Sequence, residues 1–223
     1  MIVQVYAMVD IEDAVEVAKA GADNIGFLVG KGGPTVVSAS LGREICRALP
    51  QKKRVMMPIC ERMEDIISMV RAVGPDAVHL SQERIEAGDA ELLRRSLPGV
   101  ELMRSIAVDG EGAISRALEA ERYFDCILLD SPGVPLRVKG FIGSAGKPHD
   151  WSISRKIVEM VKKPVILAGG LSPENVSEAI RTVRPYGVDA CTSLDLNEEG
   201  RKDIEKVRLF VKKAREAADE YGL

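Results

Sequence analysis

The chain has 223 residues, 46 % of them hydrophobic and 29 % charged, with a net charge of −3, which is enough apolar material for the core of an ordinary soluble globular protein. Its acidic and basic residues are interspersed, so no basic face is set aside for nucleic acid, and an aromatic content of 4 % provides no stacking platform for single strands. No apolar run reaches the length of a membrane span, and Met1 leads straight into strand-like residues without a basic n-region or cleavage site, which predicts a cytoplasmic protein without a signal peptide.

Short apolar runs alternate with longer amphipathic stretches from end to end. The first run, Val3–Val9, is followed by a helical pattern over Ile11–Ala20. The next pairs are Asn24–Val29 with Ser40–Leu49, Arg54–Cys60 with Met63–Val73, and Ala77–Ser81 with Asp89–Ser96. Glu101–Val108 precedes Glu111–Tyr123, and Cys126–Ser131 precedes Ser152–Val161. The last two pairs are Pro164–Ala168 with Pro173–Val183 and Gly187–Thr192 with Lys202–Tyr221. Eight strand–helix units in strict order imply a parallel sheet covered by helices. At this length they fit a closed (β/α)8 TIM barrel, a single α/β domain over residues 1–223, better than an open sheet. No dinucleotide fingerprint follows the first strand, and Gly140, Gly143 and Gly146 are scattered in a loop after the sixth, the wrong context for one.

The four cysteines, Cys46, Cys60, Cys126 and Cys191, are widely spaced, with no CxxC pair and no Cys/His cluster, so reduced thiols are expected and a zinc site is not. Leu167-Ala168-Gly169-Gly170-Leu171-Ser172-Pro173-Glu174-Asn175-Val176 reads as a buried strand, a glycine corner and a helix capped by Ser172. Glycines admit close backbone approach and the helix start attracts an anion, so this corner is a candidate phosphate cradle. In barrels that bind phosphorylated substrates, the loops after strands seven and eight commonly form one phosphate site, which adds Cys191, Thr192 and Ser193.

Barrel active sites lie at the C-terminal ends of the strands. Asp130, closing Ile127-Leu128-Leu129, is therefore a candidate general acid or base, because burial raises a carboxyl pKa. Asp189 faces either the site or a polar layer of the barrel. His79 and His149 read as catalytic or as hydrogen-bonded structural histidines. Cys60 is a candidate nucleophile by position alone. Lys31, beside Gly32 and Gly33, reads as an anion contact or a solvated turn, and Arg104 lies on strand five as a possible cation for the site.

Several segments together resemble the phosphoribosylanthranilate isomerase family over nearly the whole chain. These are Ile11-Glu12-Asp13-Ala14 with Ala20–Phe27, Leu128-Leu129-Asp130, the loop Gly143–Trp151 ending in Asp150-Trp151, Leu167–Val176 and Gly187-Val188-Asp189. The resemblance implies an Amadori rearrangement of a phosphoribosyl-amine in tryptophan biosynthesis, with a phosphorylated small molecule as substrate and no metal or organic cofactor. It carries the general acid over to Asp130 and phosphate contacts to Gly169, Gly170 and Cys191–Ser193. The family's strand-one motif Lys-x-Cys-Gly, whose Cys is the base, is here Gln4-Val5-Tyr6-Ala7, so Tyr6 stands at the base position. An unperturbed tyrosine has a pKa near ~10 and is a poor base at neutral pH. The arginine expected after strand two is replaced by Thr35, and Gln-x-His-Gly after strand four is His79-Leu80-Ser81-Gln82. The sequence thus supports a divergent isomerase with Tyr6, His79 or Cys60 as base. It also supports a barrel enzyme for another phosphorylated sugar or small phosphate ester, or a non-catalytic phosphometabolite-binding protein. Its oligomeric state is not legible.

Overall fold

The computed structural model describes residues 1–132, 142 and 148–223. Eight parallel strands form the barrel wall: β1 Ile2–Val5, β2 Asn24–Gly30, β3 Lys53–Ile59, β4 Ala77–Leu80, β5 Glu101–Ala107, β6 Cys126–Asp130, β7 Val165–Leu167 and β8 Gly187–Ala190. Each pairs with its sequence neighbours, and β1 pairs with both β2 and β8, which closes the sheet on itself. A two-residue strand, Val36–Val37, adds to the outer end of β2. The helices are α1 Ile11–Lys19, α2 Ala39–Ala48, α3 Met63–Val73, α4 Ala87–Ser96, α5 Gly112–Ala120, α6 Trp151–Met160, α7 Val176–Val183 and α8 Ile204–Tyr221. Among the described residues, no helix is long and apolar enough to cross a membrane.

Strand alternation divides the apolar residues into two sets. Val5, Phe27, Met56, Leu80, Leu102, Ile106, Leu129 and Val188 pack outward under the helices. Leu28, Val55, Met57, Ala77, Met103, Leu128 and Ile166 fill the lumen. A polar layer crosses the lumen: Gln4 pairs in register with Asn24 on one side and Asp189 on the other, and Asn24 Nδ2 donates to Gln4 Oε1 over 3.0 Å.

The expected α7 begins three residues early. Ser172 Oγ does accept from Glu174 N (3.2 Å), but residues 173–175 form a turn and the helix starts at Val176 with Asn175 as its cap. Asn175 instead serves the corner before it. Its Oδ1 accepts from Ser172 N (2.8 Å) and its Nδ2 donates to the Gly170 carbonyl (3.0 Å).

Candidate active site

A pocket opens at the C-terminal end of the barrel. Tyr6, Leu28, Met57, His79, Asp130, Ile142, the Ala168–Leu171 corner and the Asp189–Ser193 segment line it. Gly169 and Gly170 have φ of +85° and +65°, which L side chains rarely adopt. A Cβ on Gly169 would also press on Ser131 N at 2.9 Å and His149 Nδ1 at 3.0 Å. Among the described residues, the N–H groups of Gly169 and Gly170 have no acceptor. The second wall is a 3-10 turn, Thr192–Leu194, pinned by a bond from Ser193 Oγ to the Leu171 carbonyl. The two segments expected to hold phosphate therefore meet.

Two carboxyls face this pocket. Asp130 ends β6, and burial raises its pKa to about 6, partly opposed by the Ser131 N–H that its Oδ1 accepts at 2.7 Å. Burial, then the charge of Asp130, pushes Asp189 up to about 8. Gln4 offsets this weakly, because Gln4 Nε2 and Asp189 Oδ1 are both buried without a hydrogen-bond partner among the described residues. At neutral pH the pair holds about one proton.

The pocket floor carries a polar chain. The Tyr6 hydroxyl lies 3.0 Å from His79 Nδ1, and His79 Nε2 lies 2.6 Å from Ser105 Oγ. The Tyr6 ring rests on Gly26, where a Cβ would come within 2.5 Å of it. Burial, with the nearby Asp189 carboxyl second, holds the Tyr6 hydroxyl well above its ordinary range, and burial lowers His79 to about 3. Tyr6 keeps its proton and the His79 imidazole binds one only weakly, so neither is poised as a base. His149 lies beside the corner as a structural residue, bonded to Ser131 Oγ (3.2 Å) and Ser154 Oγ (2.7 Å), and burial lowers it to about 4.

Three expected site residues lie elsewhere. Arg104 shares the outward face of β5 with Leu102 and Ile106, and its guanidinium donates to the carbonyls of Leu80 (3.1 Å), Gln82 (2.6 Å) and Glu83 (3.2 Å). It holds the β4–α4 loop and does not line this pocket. Cys60 packs against the outer core, and burial raises its thiol to about 11, so it is an inert thiol outside the pocket. Lys31 is exposed and does not line the pocket, nor does Thr35. Gly143 and Gly146 lie outside the described residues. Among the described residues, no lysine or arginine lines the pocket, and no cluster of three or more His, Cys, Asp or Glu is placed to hold a metal ion.

Ser105 and Lys202 had not been expected near the site. Ser105 was legible in principle, from its parity with Met103 on a strand that shows alternate faces. Lys202 carried no such signal, since a lysine entering a charged helix reads as solvent-exposed.

The model of the N-(5'phosphoribosyl)anthranilate (PRA) isomerase family matches residues 3–213. The chain is similar to N-(5'-phosphoribosyl)anthranilate isomerase 2 of Methanosarcina mazei, 38 % identical over 96 % of this chain and 94 % of that one. It is 39 % identical to the Methanocella arvoryzae isomerase over 92 % of this chain and 93 % of that one. Its fold matches that of the Thermotoga maritima isomerase with a TM-score of 0.82, 29 % identity and coverage of 97 % and 100 %. A further isomerase structure, at 28 % identity, TM-score 0.79 and the same coverage, is a complex with reduced 1-(o-carboxyphenylamino)-1-deoxyribulose 5-phosphate. A match over nearly the whole chain, on a barrel with two acidic groups beside an amide-lined corner, places it in one family: the chain belongs to the N-(5'-phosphoribosyl)anthranilate isomerases.

Proposed function

We propose that the chain performs its family's isomerisation, with Asp130 and Asp189 sharing the acid and base roles. The carrying observation is that two buried carboxyls of unequal proton affinity face one pocket beside a phosphate-sized corner. The substrate phosphate sits against Gly169, Gly170 and the Cys191–Ser193 turn. The pair's one proton, held mainly by Asp189 in the free pocket, is delivered through Asp130 to the ribose ring oxygen as the bond from C1′ to that oxygen breaks, and the amine lone pair forms C1′=N. Ionised Asp189 then removes the C2′ proton. The released electron pair forms C1′=C2′ and returns the C1′=N pair to nitrogen, leaving an enol that tautomerises to the aminoketose. The pair starts and ends with one proton, so the cycle closes by proton exchange within it.

Tyr6 and His79 are hydrogen-bonding groups of the floor in this reading. Asp130→Asn should lower kcat by about 10³-fold or more, Asp189→Asn by about 10²–10³-fold and Tyr6→Phe by less than about tenfold. The assay is turnover of freshly prepared phosphoribosylanthranilate. A Tyr6→Phe loss as deep as that of Asp130→Asn would move the base to Tyr6. Saturable phosphosugar binding without turnover by the unmodified protein would favour a different substrate.

A further inference from the structure

Lys202 lies just ahead of α8, and its side chain is 0 % exposed. Its ammonium forms an ion pair with Asp195 Oδ1 and lies 3.4 Å from the Cys191 carbonyl oxygen. Its backbone N–H donates to Asp13 Oδ1 (2.9 Å), and the neighbouring Arg201 pairs with Asp10, the cap of α1. The segment therefore ties the turn after β8 to the loop after β1.

The Cys191 carbonyl belongs to the same peptide unit as the Thr192 N–H. That peptide is trans, so its C=O and N–H point in opposite directions. A cation at the oxygen end withdraws electron density and strengthens the N–H as a donor at the other end. Cys191 and Thr192 both line the pocket. The Leu194 N–H also donates to the Cys191 carbonyl (3.1 Å), fixing the turn from a second side. A phosphate dianion brings about two negative charges to a pocket already holding two carboxyls. Among the described residues, no lysine or arginine lines that pocket, and Lys202 brings positive charge to it from behind its wall. The field of Lys202 reaches this far, since it opposes the burial-driven rise of both the Cys191 thiol and the Asp189 carboxyl.

We infer that Lys202 is a positioning residue for the substrate phosphate, holding and polarising the Cys191–Thr192 peptide from behind the pocket. The inference rests on the phosphate placement proposed above and adds the source of its charge complement.

The test compares the wild type with Lys202→Met and with the double variant Lys202→Met/Asp195→Asn, which removes both members of the ion pair. Calorimetric titration uses reduced 1-(o-carboxyphenylamino)-1-deoxyribulose 5-phosphate and its dephosphorylated form. The phosphorylated ligand should bind both variants about tenfold more weakly, with the dephosphorylated ligand unchanged within about twofold, and KM should rise with kcat held within about threefold. Should Lys202→Met fail to fold, the double variant carries the comparison. Wild-type affinity for the phosphorylated ligand in the folded double variant would overturn the inference. So would equal losses for both ligands, which would mark a structural role only. A wild type that does not prefer the phosphorylated ligand would instead overturn the phosphate placement, and this inference with it.

Discussion

Asp189 is held in a setting that opposes its charge. It sits in the lumen of the barrel, and its Oδ1 has no hydrogen-bond partner among the described residues. Its pKa rises from the ordinary 3.8 to about 8. A raised carboxyl binds its proton more tightly in the folded than in the unfolded chain. Stability is therefore highest below the unfolded pKa and falls as pH rises from about 4 towards 8. Asp189→Asn should then stabilise the fold by about 1–3 kcal/mol at pH 8 while lowering turnover, with the gain vanishing near pH 4. Thermal unfolding at the two pH values checks this, and a gain that does not depend on pH would separate it from the carboxyl's titration. Asp130 and Asp189 were both visible as carboxyls near strand ends. Which of them faced the site was legible for Asp130 from its place after Leu128-Leu129, and open for Asp189 until the register with Gln4 was fixed.

At the scale of elements, the strand-seven corner shows where local signals mislead. Ser172-Pro173-Glu174 carries every mark of a helix start, yet α7 begins at Val176. The Asn175 side chain makes the difference, since it bonds Ser172 N and the Gly170 carbonyl and so locks the corner before the helix can start. The expected glycine corner is present, and the Asn175 bonds fix its shape. Asn175→Ala should cost about 1 kcal/mol of stability and raise KM for the phosphorylated substrate several-fold, with a smaller change in kcat. Steady-state kinetics decides it: an unchanged KM would show that the glycine corner holds its shape unaided. The misplacement of Arg104 is also an element-scale effect. One position along β5 separates the lumen from the helix-covered face, so a side chain near the strand end is buried away from the site by parity alone.

At the scale of the molecule, the barrel depends on one seam. β1 and β8, the first and last strands, pair from Ile2↔Gly187 to Val5↔Ala190. A Cβ on Gly187 would come within 2.8 Å of the Ile2 carbonyl oxygen, so the strands approach at this register only because position 187 has no side chain. Gly187→Ala should destabilise the chain by about 1–3 kcal/mol, as overpacking does, lowering the melting temperature by several degrees. Gly88→Ala, in α4 with open space around it, is the matched control and should be neutral or slightly stabilising. Equal melting temperatures for the two variants would show that the seam yields without cost.

The eight strand–helix units, the closed barrel, the glycine corner and the place of Asp130 at a strand end facing the pocket were determined by the sequence. Each rests on local periodicity, turn chemistry or a short contiguous motif, properties that a chain carries without knowing its partners. The tertiary structure decided which faces those residues show. It turned Tyr6, His79 and Asp189 into the pocket, left Cys60, Lys31 and Arg104 outside it, and buried Lys202 behind the turn after β8. The reason is physical. Burial, pKa and the sign of the potential depend on strands and loops far apart in sequence, and those come together only when β1 pairs with β8.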